Sequence, residues 1–225
     1  LIGSIDIRTS LHLLVVLETS SSGLFLMSAV KPRNVSLVKI IAGKAGRIAI
    51  KVPAAVARPT TDFVRQAIFS ILGENISGAR VLDLFCGSGA LGLEALSRGA
   101  QSCVFVDEHR QAVSVTEENL KKARLDGGRT VKSEVFTFLK RDPSTYDLIL
   151  ADPPYWKGYG DTDLVTKLLD LPTIIERLAP TGYLIAEISS SQSTPPSAHL
   201  QLLDRRQYGS STILIFAHPA ACLPE

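Results

Sequence analysis

Between residues 79 and 189 the chain alternates short apolar runs with segments of helical period. This alternation limits the possible folds more than any other feature. The strand-like runs are "ARVLDLF" (79–85), "SCVFVD" (102–107), the more polar "TVKSEV" (130–135), "YDLILAD" (146–152) and "GYLIAEIS" (182–189). They are short and rich in β-branched and aromatic residues, which predicts strands. Between them, "ALGLEALSRG" (90–99), "RQAVSVTEENLKKARL" (110–125), "VFTFLKR", "DTDLVTKLLDL" and "LPTIIERLA" place apolar residues at helical spacing. Strands that are apolar on both faces need cover on both faces, so the expectation is an α/β domain with a mainly parallel sheet. After the polar connection "SSSQSTPPSA" (189–198), "LQLLDRRQYGSSTILIFA" (200–217) holds two β-runs around Gly209. A terminal hairpin of this kind predicts an antiparallel edge on a doubly wound sheet.

Upstream, "SLVKIIAGKAGRIAIKVP" (36–53) reads as a hairpin turning at Gly43-Lys44-Ala45-Gly46. "ARPTTDFVRQAIFSILG" (57–73) then changes to a helical period, with Thr60 or Thr61 able to cap the start and Gly73 suited to the stop. The expected divisions are an N-terminal extension over 1–35, a basic hairpin over 36–56, the main domain over 57–217 and a tail over 218–225. Residues 1–26 include the apolar run "LHLLVVL" (11–17), flanked by Asp6 and Glu18, and the only methionine is Met27. The preferred reading is an upstream extension or a mis-set start, with folding beginning near Met27.

Charge separates the two ends. Residues 1–65 carry nine Lys/Arg against three Asp/Glu, whereas residues 66–225 carry fifteen against nineteen. A basic segment beside a neutral-to-acidic body suggests a polyanionic partner, with a solvated basic surface as the alternative. Three cysteines without CxxC spacing and four histidines without ligand spacing predict neither a disulfide framework nor a metal site, and favour a reducing compartment. No run of eighteen apolar residues predicts a membrane span.

Two stretches carry chemistry. "DLFCGSGALG" (83–92) follows the first parallel strand and opens a helix. Gly87 and Gly89 let the backbone turn tightly and approach a ligand, and helix N–H groups behind them can receive a polar group. Asp107 ends the next strand, where an acid can accept both ribose hydroxyls of an adenosine. Asp83 precedes the turn in an acid-x-x-x-G-x-G pattern, yet "GSGALG" also fits G-x-G-x-x-G. The loop alone therefore leaves NAD and S-adenosylmethionine both open. Cys86, inside the turn, reads as a packing residue, because no neighbouring base in sequence activates it.

The second stretch, "YDLILADPPY" (146–155), ends a strand on Asp152-Pro153-Pro154-Tyr155. These residues resemble the DPPY motif of amino-directed S-adenosylmethionine methyltransferases. A carboxylate at Asp152 and the carbonyl of Pro153 can accept the N–H bonds of an exocyclic base amine and orient its nitrogen. Asp152 can also stabilise positive charge developing on that nitrogen. Tyr155 offers a face on which a flipped base can stack. Pro153 and Pro154 set this geometry in advance. The alternative is a turn that merely ends a strand.

Taken together, "IIAGKAGRIAIKVP", "RPTTDFVRQAIFSIL", "VLDLFCGSGALGLEALSRGA", "VFVD", "YDLILADPPY" and "YGSSTILIF" resemble the RsmD family of bacterial 16S rRNA guanine-N2 methyltransferases, over roughly residues 38–217. The resemblance implies a seven-stranded Rossmann-like sheet of order 3-2-1-4-5-7-6 with a small N-terminal β-hairpin. It implies S-adenosylmethionine as cofactor and one guanine amine of 16S rRNA as substrate, presented in an assembling 30S particle; with the cysteine and histidine usage, the expectation is a cytoplasmic protein without metal, taken as a monomer. It places Asp152, Pro153 and Tyr155 in the catalytic role and Asp83, Gly87, Gly89, Asp107 and Glu134 at the cofactor. Lys44, Arg47, Arg58, Thr60, Arg65 and Pro154 would face the substrate. Arg58 as a plain surface residue, Thr60 as a helix cap and Glu134 as a surface acid stay open as alternatives. So do a DNA adenine-N6 methyltransferase, a nucleotide-cofactor oxidoreductase and a non-catalytic RNA-binding protein.

Overall fold

The computed structural model describes residues 38–53, 61–156 and 160–222. The expectations for residues 1–35, and for Arg58 and Thr60, lie outside the described residues. The basic segment forms an antiparallel hairpin, β1 (Val38–Lys39) and β2 (Ala49–Ile50), with Val38 opposite Ile50. Its strands are short because the turn between them is bent onto the main domain. Gly43 there has φ +79°, and a Cβ on it would lie 1.9 Å from the Ser97 carbonyl oxygen, so only glycine permits this approach.

Helix α1 (Asp62–Leu72) follows. The Thr61 hydroxyl accepts the Val64 N–H at 3.3 Å as its cap, and Gly73 at φ +54° ends it. Its face of Val64, Ile68, Phe69 and Leu72 is buried.

The main sheet is built from β3 (Arg80–Leu84), β4 (Ser102–Asp107), β5 (Gly128–Lys132), β6 (Tyr146–Ala151), β7 (Leu178–Ser189), β8 (Gln201–Tyr208) and β9 (Ser211–Ala217). The intervening helices are α2 (Ala90–Ser97), α3 (Arg110–Ala123), α4 (Val135–Arg141), α5 (Leu164–Leu169) and α6 (Thr173–Arg177). The spatial order is β5-β4-β3-β6-β7-β9-β8. Counted from the first strand of this sheet, that is 3-2-1-4-5-7-6, the order the resemblance implies. The first five strands are parallel, and β9 inserts antiparallel between β7 and β8.

Side chains along each strand alternate between two cores. Val81, Leu148, Leu150 and Ile185 join the hairpin, α1 and α2 on one face. Leu82, Leu84, Ile149 and Leu184 join α4, α5 and α6 on the other. Each such fully buried aliphatic side chain stabilises the fold by about 1.5–3 kcal/mol before entropy is counted.

Two boundaries differ from the sequence expectation. The third parallel strand ends at Lys132 rather than running to 135, because Glu134 caps α4 instead of continuing the ladder. Strand β7 begins at Leu178, four residues early, through an irregular pairing with β6 between Tyr146 and Leu148. No helix among the described residues is long and apolar enough to cross a membrane.

Candidate active site

Strand β3 lies between β4 and β6, so consecutive connections leave it in opposite directions. A crevice opens at the carboxyl ends of the strands where such a reversal occurs. Leu84, the last residue of β3, is level with Val106 of β4 and Ala151 of β6. The residues that come next are the glycine turn, Asp107 and Asp152. Segments separated by up to 68 residues in sequence thus meet at one edge of the sheet.

The turn departs sharply from strand geometry. Phe85 has φ +58°, Gly87 +53° and Gly89 +77°. For Phe85 this costs about 1–3 kcal/mol, a strain usually found at functional sites. The turn is held by the Cys86 N–H on the Val106 carbonyl at 3.1 Å and the Gly89 N–H on the Cys86 carbonyl at 2.7 Å. Thr116 of α3 donates to the Gly87 carbonyl at 3.2 Å. A Cβ on Gly89 would stand 2.7 Å from the Thr116 methyl group, so α3 also fixes the depth of the turn. Burial first, then the charge of Asp83, pushes the Cys86 thiol well up, which suits packing and not nucleophilic chemistry.

The three acids at this edge are placed differently. Asp107 is 8% exposed; its Oδ2 accepts the Gly87 N–H at 3.0 Å and its Oδ1 the His109 N–H at 2.8 Å. Oδ1 also lies 3.2 Å from the His109 ring Nδ1, so Oδ2 is the oxygen whose second lone pair can still receive a hydroxyl group while the acid braces the turn. Asp83 does not face the crevice as expected. It is 1% exposed and lies beneath the turn, where Oδ2 accepts the Gly92 N–H at 2.9 Å. Burial chiefly, with the charges of Asp152 and Asp107, holds its carboxyl well above the ordinary range. Glu134, expected at the cofactor, is the cap of α4. Its Oε1 accepts the Phe136 N–H, and its Oε2 accepts the N–H and hydroxyl of Thr137. A long, flexible acid followed by two free helix N–H groups folds back onto them.

Asp152 is half-buried, Pro153 is buried and Pro154 is exposed. The Tyr155 hydroxyl donates to Glu187 Oε1 at 2.5 Å and lies 2.8 Å from Ser211 Oγ. Both partners sit on neighbouring strands, β7 and β9, so the ring is pinned by its far end. Burial and the Glu187 contact raise the Tyr155 pKa, which keeps the phenol protonated and donating. Glu187 was missed in the sequence. Its signal was present: like Asp83, it is a lone acid inside an apolar strand.

Of the candidate substrate cations, Lys44 and Arg47 are exposed on the hairpin turn. Arg65, expected to face the substrate, does not. It is fully buried, and its Nη2 donates to the Lys39 carbonyl at 2.6 Å and to Asp62 at 2.7 Å. Helical phase turns it inward, so it ties α1 to the hairpin and presents no charge outward. The hairpin is bound further by Glu94, whose two oxygens accept the Ile41 and Ala42 N–H groups at 2.6 and 3.0 Å. Asn119 of α3 bonds both the hairpin and the glycine turn. Among the described residues no group of three or more His, Cys, Asp and Glu is arranged to hold a metal.

The sequence pattern of the family described as "Conserved hypothetical protein 95" matches residues 38–217. The chain is 33% identical over 189 residues to "Putative rRNA methyltransferase YlbH" of Bacillus subtilis, covering 80% of this chain and 98% of that protein. It is 39% identical over 101 residues to "Ribosomal RNA small subunit methyltransferase D" of Escherichia coli, covering 45% of this chain and 51% of that one. Among solved structures, "Putative methyltransferase yhhF from Escherichia coli" superposes with a TM-score of 0.68 at 28% identity, over 82% of this chain and 99% of that chain. "Crystal structure of SMU.776, a putative methyltransferase complexed with SAH" shares the fold at 21% identity and a TM-score of 0.54, over 65% of this chain and 48% of that one.

Proposed function

The chain belongs to the RsmD-like family described as Conserved hypothetical protein 95, and we propose that it methylates the exocyclic N2 amine of a guanine in small-subunit ribosomal RNA. The broader activity, S-adenosylmethionine-dependent methylation of rRNA, follows from the relatives' names and the methyltransferase fold. The observation that carries transfer to an exocyclic base amine is the placement of Asp152. It stands one residue beyond Ala151, which is level with Leu84 at the foot of the glycine turn.

The residues at the crevice fit the cofactor. Gly87 and Gly89 bring a turn without side chains to the N-terminus of α2, and Asp107 Oδ2 keeps a lone pair beside Gly87. Asp107 would receive the ribose hydroxyls. S-adenosylmethionine supplies a methyl group already activated by its sulfonium.

The protein's own work is then orientation and charge. The lone pair of a guanine amine is delocalised into the ring, which makes the nitrogen a weak nucleophile. Asp152 and the Pro153 carbonyl accept its two N–H bonds and turn the nitrogen toward the methyl group. Positive charge appears on nitrogen only as the new bond forms, so Asp152 favours the transition state over the ground state. Tyr155, anchored through Glu187 and Ser211, holds its ring still for a base to stack on. Lys44 and Arg47 would meet the RNA backbone outside the crevice.

The test is incubation with labelled S-adenosylmethionine and 30S particles that lack the modification, followed by mapping of the labelled nucleotide. Label on guanine N2 in 16S rRNA is expected. Label on an adenine, or none on RNA, would overturn the reading.

A further inference from the structure

Glu187 has one carboxylate oxygen without a partner. Oε1 accepts from Tyr155, but Oε2 is buried and no protein group bonds it. The residue is 5% exposed. A buried carboxylate oxygen left unpaired is costly, so natural folds seldom keep one without a use. Neighbouring inward residues of the sheet, Ile185 on β7 and Ile213 opposite Glu187 on β9, are apolar. An apolar side chain at 187 would pack there without that cost. The Tyr155 contact accounts for one oxygen only.

Glu187 lines a small cavity with Pro153, Pro154, Tyr155 and Trp156. Register places it beside the proposed catalytic acid. Ala186 pairs with Ala151, so Glu187 and Asp152 are each the next residue on adjacent chains. Their backbone positions are therefore adjacent where the strands give way to the loop that would hold the base.

We propose that Glu187 is a specificity-determining residue whose Oε2 accepts the N1–H of the substrate guanine, while Asp152 takes the neighbouring N2 amine. The inference rests on the methyltransferase reading of the same site. Its chemistry comes from the Watson–Crick edge of the base. Guanine presents two adjacent donors there, N1–H and the N2 amine. Adenine and cytosine each present an amine beside an acceptor nitrogen. Paired carboxylates satisfy the first pattern and set an oxygen lone pair against a nitrogen lone pair in the second. Such a site rejects the wrong base because its own buried acceptor is left unpaired.

The test compares guanine with 2-aminopurine, which keeps the amine but has an acceptor at N1. Both are placed by ligation at the nucleotide that the labelling assay identifies, in 16S rRNA reconstituted into 30S particles. Wild-type protein and Glu187→Gln are compared on each. Gln keeps an amide oxygen for the Tyr155 hydroxyl and replaces the second oxygen with a donor. Wild type is expected to prefer guanine, and Glu187→Gln to lower that preference about 10- to 100-fold, the worth of one charge-assisted hydrogen bond. Part of the change should be a gain on 2-aminopurine, which a merely structural defect would not produce. A preference unchanged in Glu187→Gln, or equal losses on both substrates, would overturn the role of Glu187 alone. Absence of wild-type methylation on the guanine particle would overturn both this inference and the reading beneath it.

Discussion

The side-chain amide of Asn119 clamps the main chain of Lys51, accepting its N–H at 2.8 Å and donating to its carbonyl at 2.9 Å. The same Nδ2 donates to the Ser88 carbonyl at 2.9 Å, inside the glycine turn. One buried residue on α3 thus joins the basic hairpin to the proposed cofactor loop. Asn119→Ala removes three hydrogen bonds and should cost about 2–4 kcal/mol. Urea unfolding would measure this; a cost below about 0.5 kcal/mol, the range of ordinary surface changes, would show that the clamp is idle.

Asp152→Ala should keep cofactor affinity and lose methyl transfer on the order of 100- to 1,000-fold, the usual effect of removing one electrostatic stabiliser of a transition state. Calorimetry with S-adenosylhomocysteine and single-turnover kinetics separate the two effects. Undiminished turnover would remove Asp152 from the chemistry.

Asp107→Ala should act the other way. It removes the proposed ribose acceptor and the brace on the Gly87 N–H. Cofactor affinity should fall about 10- to 100-fold. An unaltered dissociation constant for S-adenosylhomocysteine would exclude the ribose role.

Asp83 makes the protein's stability depend on pH in a predictable direction. Burial first, then Asp152 and Asp107, raises its folded-state pKa well above the ordinary value of 3.8. The native state therefore holds the proton more tightly than the unfolded chain does. Below the ordinary value both states are protonated and the group imposes no penalty. Above it the unfolded chain ionises first, so stability falls with rising pH until the raised folded pKa is passed. Asp83→Asn, which retains an acceptor for the Gly92 N–H, should gain stability relative to wild type as pH climbs from about 4 toward neutrality. Denaturation curves across that window would show the two proteins diverging; parallel curves would mean that Asp83 is not desolvated.

Charge reversal at Lys44 and Arg47 should weaken binding to 16S rRNA across all sequences. Each lost phosphate contact should also reduce the slope of log affinity against log salt by about 1. An unchanged slope would locate the RNA contact elsewhere.

The strand–helix alternation determined the architecture, because period and apolarity are local properties that each strand carries in its own residues. The glycine turn and the DPPY stretch were legible for the same reason: each is contiguous, and glycine and proline restrict the backbone wherever they occur. What the sequence could not decide is where a charged side chain points once the elements pack. Arg65 reads as an available cation, and helical phase buries it. Glu134 reads as a ligand contact, and two free helix N–H groups capture it. Asp83 and Asp107 are alike in one dimension, yet one supports the turn from below and the other stands at its side. Glu187 and Asp152 are 35 positions apart, and only the parallel pairing of β6 with β7 makes them neighbours. Contacts of that range depend on strand register, and register is settled by the packing of both cores at once.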